Sequence, residues 1–335
     1  MDYQLFMARA IELSKQGLGL TSPNPIVGAV VVSPVGEVIG EGFHAGGDHA
    51  EVVALLDSVH RGKITLGSTI FVSLEPCNHV GKRPPCTKAI LDAGIARVVY
   101  AVSDPNPIAM GGAEYLQSQG IEVVSGTLKS ESAFVNRAWL HKIIERRPYF
   151  TWKIASSFDG FTAAFDGTSK WITSERSREA VQKLRSESDA ILVGTGTALA
   201  DNPSLIPHGY EHRPLRIVMG EREISANSKL RDNQAKTLIL PSRSIEMLIE
   251  EVNARGINSI LVEAGATLGT ALLNAGLIDE MHWFQAPTLL GAGKKAIGDL
   301  HVETLSERRN YVIVRSEMIG PDLYTLLIPK LEVRI

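Results

Sequence analysis

The chain has 335 residues, more than the roughly 250–300 at which a single core stops growing, so two domains are expected. A hydrophobic fraction of 44%, a charged fraction of 21% and a formal net charge of −3 describe an ordinary globular protein with no basic surplus for nucleic acid. No window approaches the ~20 uninterrupted apolar residues of a membrane helix.

The first segment, MDYQLFMARAIELSKQGLG, spaces Tyr3, Phe6, Met7, Ala10 and Ile11 along one helical face. It reads as a folded helix rather than a signal peptide, and the expected location is cytoplasmic. GAVVVSPVGEVIGEGFH reads as two strands around a turn at Pro34 to Gly36. A helix begins at His49, with Asp48 as a candidate N-cap and Glu51 as the reciprocal residue of a capping box. GSTIFVSLEPC is a buried strand running into Cys77, a second helix begins near Thr87 and ends at Gly94, and ARVVYAV is another strand. This alternation means a sheet covered by helices.

A charged helix over about residues 129–148 ends at Pro148, which cannot continue it. The domains are therefore placed at 1–146 and 147–335. Beyond the boundary FTWKIASS, DAILVGTG, PLRIVMG, KTLIL, NSILVEAG and MHWFQAP are strand-like, with helices between several of them, so the second half is also α/β.

The chemistry gathers in two places. Cys77 and Cys86 are the only cysteines in the chain. A disulfide is possible in an exported protein, but the absence of a signal peptide favours reduced thiols. Cys77 ends an apolar strand and Cys86 precedes a helix, so both can converge on His49. Two thiolates and one imidazole make a zinc site with its fourth position left for water, which is the pattern of a catalytic zinc. Zinc deaminases use His/Cys/Cys to acidify a water that attacks the amino-bearing carbon of a base, while a non-ligand glutamate carries protons; Glu51 is spaced for that role. In the second half no GxGxxG follows a strand, so a Rossmann dinucleotide site is unsupported. Glycines instead end two buried strands, in ILVGTGTALADNPSL and SILVEAGATLGTALLNAGL, and in the second they open a helix whose free amides suit a phosphate.

The combination TSPNPIVGAVVV, HAEV and EPCNHVGKRPPC closely resembles the bifunctional deaminase-reductases of riboflavin biosynthesis. Eight residues separate the two cysteines, as in that family, whereas most cytidine and tRNA deaminases use Pro-Cys-x-x-Cys. SSFDG, SKWIT, KLRSESDAILVGTGT, LADNPSL and LVEAG extend the resemblance into the second half. It implies a cytidine-deaminase-like three-layer α/β domain followed by a dihydrofolate-reductase-like domain. The implied reactions are deamination of 2,5-diamino-6-ribosylamino-4(3H)-pyrimidinone 5′-phosphate, then NADPH reduction of its ribosyl C1′ to a ribityl group.

Carried over position by position, the resemblance makes His49, Cys77 and Cys86 ligands of one zinc ion and Glu51 the proton carrier. Asn24 and His44 become pyrimidine contacts, and His79, Lys82 and Asn106 hold the ribose phosphate end. In the reductase, Lys153 and Asp201 are the catalytic candidates. NADPH contacts fall on Ala155, Trp171, Thr197, Asp201, Gly265, Ala266, Thr267, Leu268, Gly269, Thr270 and Ala271, and substrate contacts on Ser169, Arg185, Leu205, His208 and Glu263. The chain departs from the family where Phe161 stands in place of Arg or Lys and His208 in place of Arg, with Arg213, Arg216 or His208 itself as compensating cations.

A homo-oligomer through the reductase domain is expected, with a small phosphorylated pyrimidine as partner and neither nucleic acid nor membrane. Three other readings compete: a monofunctional nucleotide deaminase with a C-terminal binding or oligomerisation domain, which the two lost cations favour; a nucleic-acid-editing deaminase, which the near-neutral charge opposes; and a structural zinc clip, which would normally close with a fourth protein ligand.

Overall fold

A computed structural model describes residues 1–80 and 84–330, and the chain divides into two compact units, Met1–Arg147 and Pro148–Ile335. In the first unit the elements run α1 (Tyr3–Ser14), β1 (Gly28–Val32), β2 (Val38–Phe43), α2 (Ala50–His60), β3 (Thr69–Leu74), α3 (Cys86–Asp92), β4 (Arg97–Val102), α4 (Gly112–Ser118), β5 (Glu122–Ser125), α5 (Lys129–Val135) and α6 (Arg137–Glu145). The strands form one sheet in the order β2-β1-β3-β4-β5. β1 is antiparallel to both β2 and β3, and β3-β4-β5 are parallel.

Every residue of β1 and β3 is buried, as expected for strands covered on both faces. α1 packs on β1 and β3, and α2 packs on β1 and β2. α2 lies unusually close to its strand: a Cβ on Gly40 would sit 2.2 Å from the Ala54 carbonyl oxygen, and one on Gly42 2.6 Å from that of Ala50. Only glycine permits this approach, which fixes where the N-terminus of α2 falls.

Two local expectations need correction. His49, not Asp48, is the N-cap of α2, and it makes no side-chain capping bond, so the capping box does not form. The imidazole is held by sulfur instead. The charged segment after residue 128 is two helices rather than one. They break at Asn136, whose Oδ1 accepts the Ile26 amide at 3.3 Å.

The second unit contains β6 (Tyr149–Ser157), β7 (Phe161–Ala163), α7 (Glu175–Ser186), β8 (Ala190–Gly194), α8 (Thr195–Asp201), β9 (Leu215–Met219), β10 (Thr237–Leu240), α9 (Ile245–Ala254), β11 (Ser259–Val262), α10 (Ala266–Asn274), β12 (Ile278–Ala286), β13 (Lys294–Lys295), β14 (Tyr311–Ile319) and β15 (Asp322–Pro329). Its main sheet has the order β10-β9-β8-β11-β6-β12-β15-β14. The first six strands are parallel, and the hairpin β14-β15 joins antiparallel to β12. Open α/β sheets take ligands outside the carboxyl ends of their parallel strands. Here those ends lead into Glu263, into Gly194 and α8, and into Gly220.

Candidate active sites

His49 and Glu51 enter at the first turn of α2, Cys77 follows β3 by three residues, and Cys86 is the first residue of α3. The side chains converge. His49 Nδ1 lies 3.2 Å from Cys86 Sγ and 3.5 Å from Cys77 Sγ, and all three potential ligand atoms fall within 4.8 Å of one another. Both thiols are free and buried. The spacing fits a tetrahedral ion with bonds of about 2.0–2.3 Å, and two sulfurs with one imidazole nitrogen are a zinc donor set. Hydrogen bonding from Cys86, aided by His49, holds the Cys77 thiol down to about 4 against its burial. The same pairing, together with burial, pushes Cys86 up. One thiolate is thus favoured in advance, and metal binding would expel the remaining proton.

Glu51 is 3% exposed, and burial, with the Cys77 charge, pushes its carboxyl up to about 7. It lies beside the Cys86 thiol, next to the donor set rather than in it. Asn24 and His44 join the same cluster. His44 packs edge-on against His49 with ring centroids 5.5 Å apart, donates through Nδ1 to the Asp48 carbonyl (3.0 Å), and meets Asn24 Nδ2 through Nε2 at 3.5 Å.

Asn106 belongs to a loop tied to the cysteines. Its amide donates to Asp104 Oδ1 and its carbonyl accepts the Ala109 amide, while Ala109 packs with Cys77 and Cys86. Lys82 lies outside the described residues. Sequence reasoning overlooked Glu75, which accepts the amides of Asp104 (3.1 Å) and Ala113 (3.0 Å) and so fastens this loop beside the cysteines. Its signal was available: an acid two residues before a ligating cysteine at the end of a fully buried strand.

In the second unit Lys153 lies on β6, Arg185 on α7 and Glu263 just past β11. Arg185 grips Glu263 with two parallel bonds, Nε to Oε1 at 2.5 Å and Nη2 to Oε2 at 2.8 Å. Burial pushes the Lys153 ammonium below its ordinary range, with Glu263 resisting and Arg185 adding to the shift. Burial alone would raise Glu263, but the Arg185 charge and hydrogen bonds, with Lys153, hold it below the usual carboxylate range. Three of the residues expected in the reductase site therefore form one half-buried electrostatic cluster.

The others are scattered more widely. Trp171 is 70% exposed, with the Arg178 guanidinium 4.6 Å from its ring centroid, so it is no core residue. Ala155 follows Lys153 on the same face of β6, Thr197 and Asp201 are on α8, and Ser169 is half-buried in the loop before Trp171. Leu205 buries its side chain with Ile191, Val193, Ala198 and Val218, so only its backbone is available to a substrate.

Gly265 caps α10 without a side-chain bond, leaving the first-turn amides of Ala266, Thr267 and Leu268 for an anion. Gly269 and Thr270, in the same run, point inward: a Cβ on Gly269 would meet the Trp152 ring at 2.1 Å, and Thr270 Oγ1 accepts the Gly298 amide. Of the two arginines considered as compensating cations, Arg216 is not available. Arg216 is fully buried on backbone carbonyls, and Arg213 donates to the carbonyls of Tyr210 and His212. The cations nearest in register to Phe161 are Lys294 and Lys295, since β13 pairs with β7 through Lys295↔Phe161.

Residues 1–102 match the cytidine and deoxycytidylate deaminase zinc-binding region, and residues 148–325 match the RibD C-terminal domain. The chain is 41% identical over 332 residues to the riboflavin biosynthesis protein RibD of Mycobacterium tuberculosis strain H37Rv, covering 97% of this chain and 96% of that protein. To the protein of the same name from Escherichia coli K12 it is 36% identical over 364 residues, covering 96% and 98%. A solved diaminohydroxyphosphoribosylaminopyrimidine deaminase / 5-amino-6-(5-phosphoribosylamino)uracil reductase of Thermotoga maritima superimposes with a TM-score of 0.91 at 34% identity, over 98% of this chain and 99% of that one. RibD of Acinetobacter baumannii gives 0.89 at 35%.

Proposed function

This chain belongs to the RibD family of bifunctional riboflavin-biosynthesis deaminases and reductases, and on that premise we propose how its residues carry the two reactions. The deaminase half is zinc-dependent and the reductase half uses NADPH. The monofunctional alternative has no support in the full-length similarity.

In the deaminase, His49, Cys77 and Cys86 hold the zinc ion, which when bound supplies Lewis-acid activation of water. Glu51 takes the proton that this water releases as its oxygen joins the amino-bearing carbon, and delivers protons to the ring nitrogen and to the nitrogen that leaves as ammonia. Asn24 and His44 orient the pyrimidine against His49, while His79, Lys82 and Asn106 receive the phosphate end. The observation that carries this half is the meeting of His49, Cys77 and Cys86 around Glu51.

In the reductase, NADPH when bound would supply hydride to C1′ of the open-chain imine, whose nitrogen takes up a proton to give the amine. Lys153 manages charge on the reacting nitrogen, with Glu263 and Arg185 fixing it and touching the substrate. Asp201, Ala155, Trp171 and Thr197, with the first turn of α10, position the cofactor. Ser169, the Leu205 backbone and His208 complete the substrate pocket.

One cuvette tests both halves. Given zinc, NADPH and the diamino-ribosylamino-pyrimidinone phosphate, ammonia release is expected to precede NADPH loss. Chelating the zinc should stop ammonia release, yet leave reduction of the pre-formed uracil at its former rate. Continued deamination in fully demetallated protein would overturn the zinc role.

The compartment proposed is the cytoplasm, where ligating thiols stay reduced, and the assembly proposed is a homo-oligomer through the reductase unit. No described helix is long and apolar enough to cross a membrane. β14 is the edge of the sheet and exposes Val312, Ile313, Val314 and Met318, a long apolar edge of the kind that pairs with a second copy. Sedimentation of the cytosolic fraction should find an oligomer that Ile313→Lys dissociates. A monomeric parent, or recovery outside the cytosol, would refute the respective proposal.

A further inference from the structure

Residues 201–208 carry three of the positions assigned above to the reductase site, Asp201, Leu205 and His208, and beyond Asp201 the segment forms no helix or strand. Two of its non-glycine residues adopt the left-handed region, Asn202 at φ +41° and Leu205 at φ +56°. For Asn202 this is the ordinary end of α8, a conformation asparagine tolerates, but for Leu205 such backbone costs free energy and persists only where the surroundings over-determine it.

Here the surroundings do so from several sides. Asn202 Oδ1 accepts Ser228 Oγ at 3.0 Å and the Lys229 amide at 2.9 Å. Arg216, fully buried on β9, spreads one guanidinium over the carbonyls of Ser204 (3.4 Å), Lys229 (2.9 Å), Asp232 (3.1 Å) and Ala235 (2.6 Å), with Asp232 Oδ1 at 2.9 Å. Leu205 anchors the middle of the segment in the core, and the His208 amide donates to Gln182 Oε1 at 3.1 Å. A buried cation spent almost wholly on main-chain oxygens contributes less net stability than an apolar side chain of its size would. What it supplies is a fixed course for two loops.

We propose that Arg216 and Asn202 are positioning residues of the reductase, locking residues 201–208 against residues 228–235 so that Asp201 and the Leu205 backbone meet cofactor and substrate in register. The proposal rests on the reading of Asp201, Leu205 and His208 as site residues. Neither Asn202 nor Arg216 needs to touch a ligand. Catalysis by positioning is sensitive to small displacements, since a shift of about 1 Å can cost roughly a hundredfold in rate.

Asn202→Gly is the informative variant because glycine keeps the left-handed backbone and removes only the tie to Ser228 and Lys229. It is expected to lower kcat/KM for reduction of the uracil by about tenfold or more while NADPH affinity, read by fluorescence, changes by less than about threefold, most cofactor contacts lying on other elements. Ammonia release should be unchanged. Asn202→Asp retains the accepting oxygen and should restore most of the loss, which a general loosening of the domain would not predict. Amide exchange within residues 201–208 should quicken in the glycine variant and not in the aspartate variant.

Arg216→Met is expected to show the larger defect, and should it fail to fold the Asn202 pair still decides. Asn202→Gly at the parental rate, or Asn202→Asp as impaired as Asn202→Gly, would overturn the positioning role. Asp201→Ala separates that failure from failure of the underlying reading. If it reduces substrate at the parental rate, the loop is not part of the site and both ideas fall. If it is impaired while Asn202→Gly is not, the site stands and the lock does not.

Discussion

Replacing Glu51 with glutamine is expected to leave one zinc per chain and a folded protein, and to lower the rate of ammonia release by about a hundredfold to ten-thousandfold, the usual loss when a positioned acid-base group is removed. The amide fills the same volume at the first turn of α2 and cannot carry a proton between water, ring nitrogen and departing ammonia. Glu51 is not among the three side chains that converge as ligands, so the metal should remain. It is 3% exposed beside Cys86, where a neutral amide is easier to bury than a carboxylate. Zinc content by elemental analysis and ammonia release by coupled assay read the two consequences separately. Deamination at the parental rate would remove Glu51 from the mechanism, and loss of zinc would make it a ligand after all. Reduction of the pre-formed uracil should be unaffected in either case.

That experiment falls on the part of the protein most legible in the sequence. His49, Cys77 and Cys86 are residue types with few reasons to coincide, and their element ends were readable from one apolar strand and two helix starts. The local detail beside them was not. Asp48 and Glu51 have the spacing of a capping box, yet the site uses that first turn to present His49 to two sulfurs, and the box does not form. Function overrides local propensity at such a point.

The second half was harder to read because its site is assembled from distant segments. Lys153, Arg185 and Glu263 come from three elements, and no spacing rule joins them; only the family resemblance placed them together. The fates of Leu205, Gly269 and Arg216 depend on which way a side chain faces once the sheet is built, and all three face the core. The β14-β15 hairpin and the short pairing of β7 with β13 are likewise set by tertiary contacts rather than by composition. A cation sought along the chain from Phe161 is found opposite it.

Lys153→Met should separate activity from stability in the reductase. Reduction is expected to fall by at least about a hundredfold, since the one amine in the cluster is lost, while the melting temperature of the unit holds or rises. The reason lies in the direction of the Lys153 shift. Burial holds its pKa in the folded chain below the unfolded value of 10.5, so at any pH below 10.5 folding either desolvates the ammonium or releases its proton, and either costs stability. For a base shifted downward, stability increases as pH rises from the folded pKa towards 10.5, and methionine removes that dependence along with the charge. The Arg185–Glu263 pair stays intact in the variant, so no orphaned carboxylate offsets the gain. Glu263→Gln is the contrasting case. It leaves the largely enclosed Arg185 guanidinium without its carboxylate partner, a change of the kind that costs about 3–5 kcal/mol when the pair is fully buried. Melting curves and NADPH oxidation on both variants distinguish the roles: Lys153→Met stable but inactive, Glu263→Gln unstable and inactive. A Lys153→Met enzyme that reduces substrate at the parental rate would instead make the amine a bystander, and the charge on the reacting nitrogen would have to be managed from Asp201.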